Sequence, residues 1–216
     1  MTHPHWPLLD LRLVTGDLVL APLTEGDLAE VVARLPEDLE LDPAATTFAV
    51  DEPTMRGVVL HQEYWRRYGT WSPTAWRLMF AVRRGGMLIG LQELEGNDFP
   101  TLRTVDTSSW LVPEARGTGI GKRMRRAVLA LGFGPLQARA AITSAWHDNA
   151  GSLGVSRSIG YRPNGESLLA RGDGVDTLVH LRMTGAEWEA TGAAGEVTIE
   201  GFEPCRPFFG LIGGEG

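Results

Sequence analysis

Between Thr104 and Phe133 a strand-like run, a glycine-rich turn and a helical pattern follow one another without interruption. The turn is Arg116-Gly117-Thr118-Gly119-Ile120-Gly121, and the helix expected over Gly117–Phe133 carries Met124, Ala127, Val128 and Leu131 on one side. This strand, turn and helix order places the chain among mixed α/β folds. It also leaves the first N–H groups of the helix without intrahelical partners, pointing to where phosphate oxygens can bind. Gly117, Gly119 and Gly121 let a ligand approach the backbone closely. Lys122, Arg123, Arg125 and Arg126 crowd the first turns, where cations oppose the helix dipole, and a bound phosphate would offset them. Alone, the hexapeptide says only that an anion fits at a helix start. It has no G-K-[ST] of a P-loop, and it follows the fifth or sixth strand instead of opening a dinucleotide fold.

The remaining pattern fills in a sheet. Residues 11–22 alternate around Thr15-Gly16-Asp17 as two strands, and a helix capped at Thr24 carries Leu28, Val31, Val32 and Leu35 to its end at Pro36. Residues 36–53 show no period, and 54–71 are helical and tryptophan-rich. Runs at 77–82, 87–95 and 104–112 read as a meander. Strands are expected at 138–146, 161–170 beside a turn at Pro163-Asn164-Gly165, 177–183 and 196–202, with short helices at 149–159 and 185–189. The expected fold is one α/β domain over residues 1–216. Its twisted, largely antiparallel sheet has about seven strands and helices on both faces, and residues 1–10 and 210–216 are frayed.

Composition narrows the function. A net charge of −7 disfavours nucleic-acid binding, which needs a basic face. The sequence has no apolar run of roughly 20 residues to span a bilayer, and its start lacks signal-peptide order, so a cytoplasmic protein without membrane contact is expected. A lone cysteine, Cys205, and five histidines without ligand spacing indicate neither a disulfide nor a metal site.

Three segments, LRLVTGDLVLAPLTEGDL, SWLVPEARGTGIGKRM and DNAGSLGVSRSIGYRPNG, in this order and spacing, resemble the GNAT superfamily of acyl-CoA N-acyltransferases. Arg116, Gly119 and Gly121 match its R/Q-x-x-G-x-G/A motif. The likeness runs from about Leu11 to Tyr161 and is greatest to the branch that includes the ribosomal-protein N-terminal acetyltransferases. The resemblance implies acetyl-CoA, or another acyl-CoA, as co-substrate and a primary amine, on a small molecule or a peptide, as acceptor. It is also compatible with a homodimer. By the same resemblance, the backbone at Trp110, Leu111 and Val112 meets the pantetheine arm, and Arg116, Gly117, Thr118, Gly119, Ile120, Gly121 and Lys122 hold the pyrophosphate. Asn149, Ser152 and Ser156 complete the cofactor side. Many members carry a tyrosine at the Ser156 position as the acid for the leaving thiolate.

The chemistry needs a neutral amine, a polarised thioester carbonyl and a stabilised thiolate. Asp106 and Glu93, on adjacent expected strands, are the candidate bases, and Ser152 is a candidate near the thioester. His147-Asp148 point apart at a strand end and are read as loop polar groups. His61, Trp65, Tyr68, Trp71 and Trp76 are read as packing or pocket lining. A non-catalytic acyl-CoA sensor and a donor larger than acetyl, such as succinyl-CoA, remain as alternatives.

Overall fold

Leu13, Leu18 and Leu20, at alternate positions, are fully buried, and they fold β1 (Arg12–Thr15) and β2 (Leu18–Pro22) into a hairpin. The structure is a computed structural model that describes residues 3–40 and 48–211. Thr24 and Asp27 form a reciprocal capping box ahead of α1 (Leu28–Ala33). The Asp51 side chain accepts from the Thr54 N–H at 2.9 Å and starts α2 (Glu52–Gly69). Of the stretch expected to lack regular structure, residues 41–47 lie outside the described residues.

β3 (Ala75–Arg84) and β4 (Met87–Asn97) form the long central hairpin, followed by the single turn α3 (Phe99–Leu102). Then come β5 (Thr104–Asp106), β6 (Ser109–Leu111), α4 (Ile120–Phe133), β7 (Ala140–Trp146) and α5 (Ala150–Ile159). The hairpin β8 (Arg162–Arg171) and β9 (Gly174–Thr184), the helix α6 (Gly185–Ala190) and the edge strand β10 (Thr198–Glu200) complete the chain. The strand order is β10-β1-β2-β3-β4-β5-β7-β9-β8, with β6 also on β4. Every pairing is antiparallel except β5 with β7.

Both faces of the centre are covered. On β3, Leu78, Phe80 and Val82 pack in the core that includes α4, whereas Met79 and Ala81 pack with Leu28, Val31 and Leu60 from α1 and α2. A strand buried on both sides reads as a continuous apolar run, as this one does. Each fully buried leucine of α4, such as Leu129 or Leu131, contributes about 1.5–3 kcal/mol through removal of its side chain from water.

Four expectations are corrected. The sheet has ten strands instead of about seven, partly because residues 104–112 break into two strands at Thr107-Ser108. Pro163-Asn164-Gly165 is an irregularity inside β8, and the hairpin turn falls at Gly172-Asp173. The helix expected from Gly117 starts at Ile120, because Gly117 (φ 72°) and Gly119 (φ 82°) hold left-handed backbone. Order also reaches into both expected frays: Leu8 and Leu211 are buried, and Trp6 packs edge-on against Trp71 and Phe208. Residues 212–216 lie outside the described residues.

Candidate functional site

The break at Thr107-Ser108 opens the site. β4 pairs with β5 through Glu95 and Asp106, and with β6 through Gly90 to Gln92 against Leu111 to Ser109. β5 pairs with β7, whereas among the described residues no strand lies on the outer edge of β6, so β6 and the later half of β7 diverge. The close pairing of β4 with β6 requires a glycine. A Cβ on Gly90 would lie 2.3 Å from the Trp110 carbonyl oxygen and 2.9 Å from a Leu111 methyl. Of the backbone groups expected to face pantetheine, the Val112 N–H is already donated to Ile89 O at 3.0 Å. The Leu111 carbonyl accepts from Arg116 Nε, also at 3.0 Å.

Behind this divergence the turn at 116–121 leads into α4. The backbone N–H groups of residues 117–122 donate to no described residue, and Thr118 Oγ1 fastens the turn by donating to Ala115 O at 2.7 Å. Four N-terminal cations invited an anion, but the structure satisfies three of them otherwise. Arg123 pairs with Asp17 at 2.7 Å, Arg126 with Glu196 at 3.0 Å, and Arg125 is buried among hydroxyls. Arg125 and Lys122 have no ion pair among the described residues. Arg116 is held bidentately by Asp38 at 2.6 and 2.8 Å. The anion-binding capacity of this turn therefore lies in its backbone more than in its arginines.

α5 forms the other wall. Asn149 Oδ1 accepts from the Ser152 N–H at 2.9 Å, which makes Asn149 the helix cap. Ser152 is half-buried, and its carbonyl accepts the Ser156 hydroxyl at 3.0 Å. Ser156 is buried against Arg125, whose Nη1 lies 3.4 Å from its Oγ.

On the opposite face of the sheet, under α2, a cavity of about 1300 Å³ reaches the divergence at Ser109, Trp110 and Trp146. Seven carboxylates and four guanidiniums line it. Glu93 is among them, accepting from Arg67 Nη1 at 2.5 Å and from the Ser108 hydroxyl at 3.0 Å. Asp106, the other candidate base, is not among the lining residues. Burial, reinforced by the charge of Glu95 opposite, raises its pKa to about 6. The two carboxylates are thus brought to one sheet face but not to one point. Trp65 is exposed, Trp76 is buried in an aromatic cluster with Phe99 and Phe209, and the Tyr68 hydroxyl donates to Leu23 O. His147 pairs with Asp176 and Asp148 with Arg171, and because Arg171 also pairs with Asp176 the two neighbours join one ion-pair cluster instead of pointing apart. Burial raises the Cys205 thiol to about 11, far from a nucleophile. Among the described residues no group of three or more His, Cys, Asp or Glu is placed to hold a metal.

Gly90, Ser109, Arg125 and Arg171 were not singled out by sequence as site residues. Arg171 joins the β8–β9 turn to Glu40, Asp148 and Asp176 and lies 5.0 Å over the Trp146 ring, closing one rim of the cavity. For Arg125 a signal existed: its helical neighbours at 121, 128, 129 and 132 are small or apolar, which puts it on the buried side.

Residues 17–162 match the family model described as an acetyltransferase (GNAT) domain. Among solved structures, a chimera of spermidine N-acetyltransferase SpeG from Vibrio cholerae and hSSAT superposes with a TM-score of 0.63 at 16% identity, over 81% of this chain and 99% of that one. Mycobacterium smegmatis RimJ in complex with CoA-disulfide superposes with a TM-score of 0.63 at 20% identity, over 88% of this chain and 97% of that one. At these identities the likeness is one of fold. Among the described residues no helix is long and apolar enough to cross a membrane.

Proposed function

This chain belongs to the acetyltransferase (GNAT) domain family, and from that premise we propose that it moves an acetyl group from acetyl-CoA to a primary amine by direct attack in a ternary complex. One observation carries the reading: the divergence of β6 from β7 has a turn with free N–H groups behind it and a carboxylate-lined cavity in front. The thioester arm enters from the side of α4 and α5, with its pyrophosphate on the amides of Gly117 to Gly121 and its pantetheine along the outer edge of β6. Asn149 and Ser152 border that path. The amine enters from the cavity under α2, so donor and acceptor meet in the opening from opposite faces, without a covalent enzyme intermediate.

Of the two candidate bases, Glu93 is the one that faces the amine, because it lines the cavity beside Ser108 and Ser109 whereas Asp106 does not. It orients the ammonium and takes its proton, directly or through water. Glu93→Gln is expected to lower kcat/KM by about 100-fold, at the low end for loss of a general base, with no loss of acetyl-CoA binding. An unchanged kcat/KM would remove Glu93 from the mechanism. The acceptor class favoured by the acid-rich lining is an amine that carries further positive charge. The spermidine acetyltransferase named among the structural neighbours is consistent with such an acceptor.

The test is thermal shift with acetyl-CoA, together with release of CoA thiol on addition of a panel of mono- and polyamines. A rise in Tm with thiol release on at least one amine is expected; absence of both overturns the reading. A Tm rise without turnover on any amine would favour a sensor, and competing donors under the same conditions separate acetyl from succinyl transfer.

A further inference from the structure

Arg125 is 2% exposed, yet no carboxylate among the described residues pairs with it. Its Nη1 reaches Thr143 Oγ1 at 3.3 Å and Ser156 Oγ at 3.4 Å, its Nη2 reaches Ser109 Oγ at 3.3 Å, and its Nε has no partner. These are long contacts to neutral groups. Asp106 and the buried Tyr161 hydroxyl act on the charge from nearby, but neither forms an ion pair with it, and burying an ion without a direct counterion costs more than three weak hydroxyl contacts offset. The charge is therefore retained against its cost, and the placement of the three hydroxyls suggests what it serves. Ser109 is on β6, Thr143 on β7 and Ser156 on α5, the three elements that bound the divergence.

The hydroxyls differ in what they have left to give. Ser156 donates its proton to Ser152 O, and Thr143 donates to Thr107 O at 2.8 Å. Ser109 accepts from Arg125, no described residue receives its own proton, and it lines the cavity mouth. We infer that Arg125, acting through the Ser109 hydroxyl, stabilises the thiolate that leaves when the thioester is cleaved. The inference rests on the acyl-CoA reading above and adds to it the source of leaving-group stabilisation. As the amine nitrogen bonds to the carbonyl carbon, the C–S bond breaks and its electron pair leaves on sulfur. The amine gives up two protons on the way from ammonium to amide, one to Glu93 or water before it attacks and one to water as the C–N bond forms. The thiolate is held by the Ser109 O–H and the charge behind it, and it takes a proton from solvent on release. Arg125 keeps its proton throughout. Ser109 is the group in contact with sulfur, and Arg125 is a positioning and polarising residue.

The experiment titrates CoA itself, so it needs no knowledge of the acceptor. CoA bound to the purified protein is followed by the ultraviolet absorbance of its thiolate as pH rises. In the wild-type protein the bound thiol is expected to titrate about one unit or more below free CoA, a tenfold shift in ionisation. Arg125→Met is expected to abolish most of that shift and to lower kcat about 100-fold, as loss of an anion-stabilising donor does elsewhere. Arg125→Lys should restore part of it. Should Arg125→Met fail to fold by circular dichroism, Ser109→Ala carries the comparison, because it removes the relay and leaves the cation. Bound CoA that titrates like free CoA in the wild type, or a shift that survives in Arg125→Met or in Ser109→Ala, overturns the inference while leaving acyl transfer in place. Failure of the wild type to bind CoA overturns both.

Discussion

Asp106 and Glu93 show how two carboxylates on one sheet face acquire different duties. Asp106 is hard to ionise: its folded-state pKa of about 6 lies above the ordinary aspartate value of 3.8, chiefly because burial strips water from the charged form. The folded protein therefore binds this proton more tightly than the unfolded chain. The contribution of this carboxyl to stability is greatest below about pH 4, falls as pH rises from about 4 to 6, and above that carries the full cost, on the order of 2–3 kcal/mol. Asp106→Asn is expected to raise Tm at pH 7 and to flatten the pH dependence of Tm between about pH 4 and 6. A variant less stable than the wild type at neutral pH would show that the charged carboxylate is favoured instead. Glu93 is ion-paired with Arg67, and its substitution should register in turnover more than in stability. Sequence could name both residues because acidic groups on adjacent strands stand out. It could not separate them, since the difference is burial and one arginine from α2, 26 positions away.

At the scale of elements, the opening between β6 and β7 depends on two glycines of different kinds. Gly119 caps α4 at φ 82° with nothing near a hypothetical Cβ, so Gly119→Ala meets only backbone strain. About 1–2 kcal/mol of stability should be lost, with a smaller Tm rise on adding acetyl-CoA because the free N–H groups turn away. Gly90 has an ordinary backbone, but a methyl there would collide with the Trp110 carbonyl. Gly90→Ala is expected to cost about 1–3 kcal/mol in denaturant unfolding and to push β6 from β4. An alanine tolerated at Gly90 without loss would mean that β6 is not pinned there. The hexapeptide glycines were legible because their spacing repeats a known geometry, and the helices because their apolar spacing has a period. Gly90 was invisible because its need for glycine comes from a strand 20 residues later. The splitting of residues 104–112 was hidden for a similar reason: an apolar run shows that a strand is present, not that its two halves take different partners. Arg125 shows the opposite failure, a residue whose helical position marked it as buried but whose charge suggested an exposed phosphate clamp.

For the molecule as a whole, three of the seven negative charges in excess lie where they can act on a substrate, since the lining of the cavity under α2 has seven carboxylates and four guanidiniums. Several of those guanidiniums are already engaged by carboxylates of the same wall, including Arg67 with Glu93 and Arg171 with Asp176. What an entering amine meets is therefore the surplus, in a recess where low-dielectric walls hold the field. A field of this kind acts more strongly on two charges than on one. It also weakens with salt, since the screening length falls from about 30 Å at 0.01 M to about 10 Å at 0.1 M. With acetyl-CoA saturating, KM for a linear diamine should rise several-fold over that range of ionic strength, KM for a monoamine of equal length should rise less, and kcat for both should stay near constant. Neutralising Glu63 or Glu52 at the cavity wall should flatten the diamine dependence without touching the divergence between β6 and β7. Parallel salt dependence for the two amines would instead mean that the acidic lining serves only to keep α2 and its arginines in place, and that the acceptor is chosen by shape.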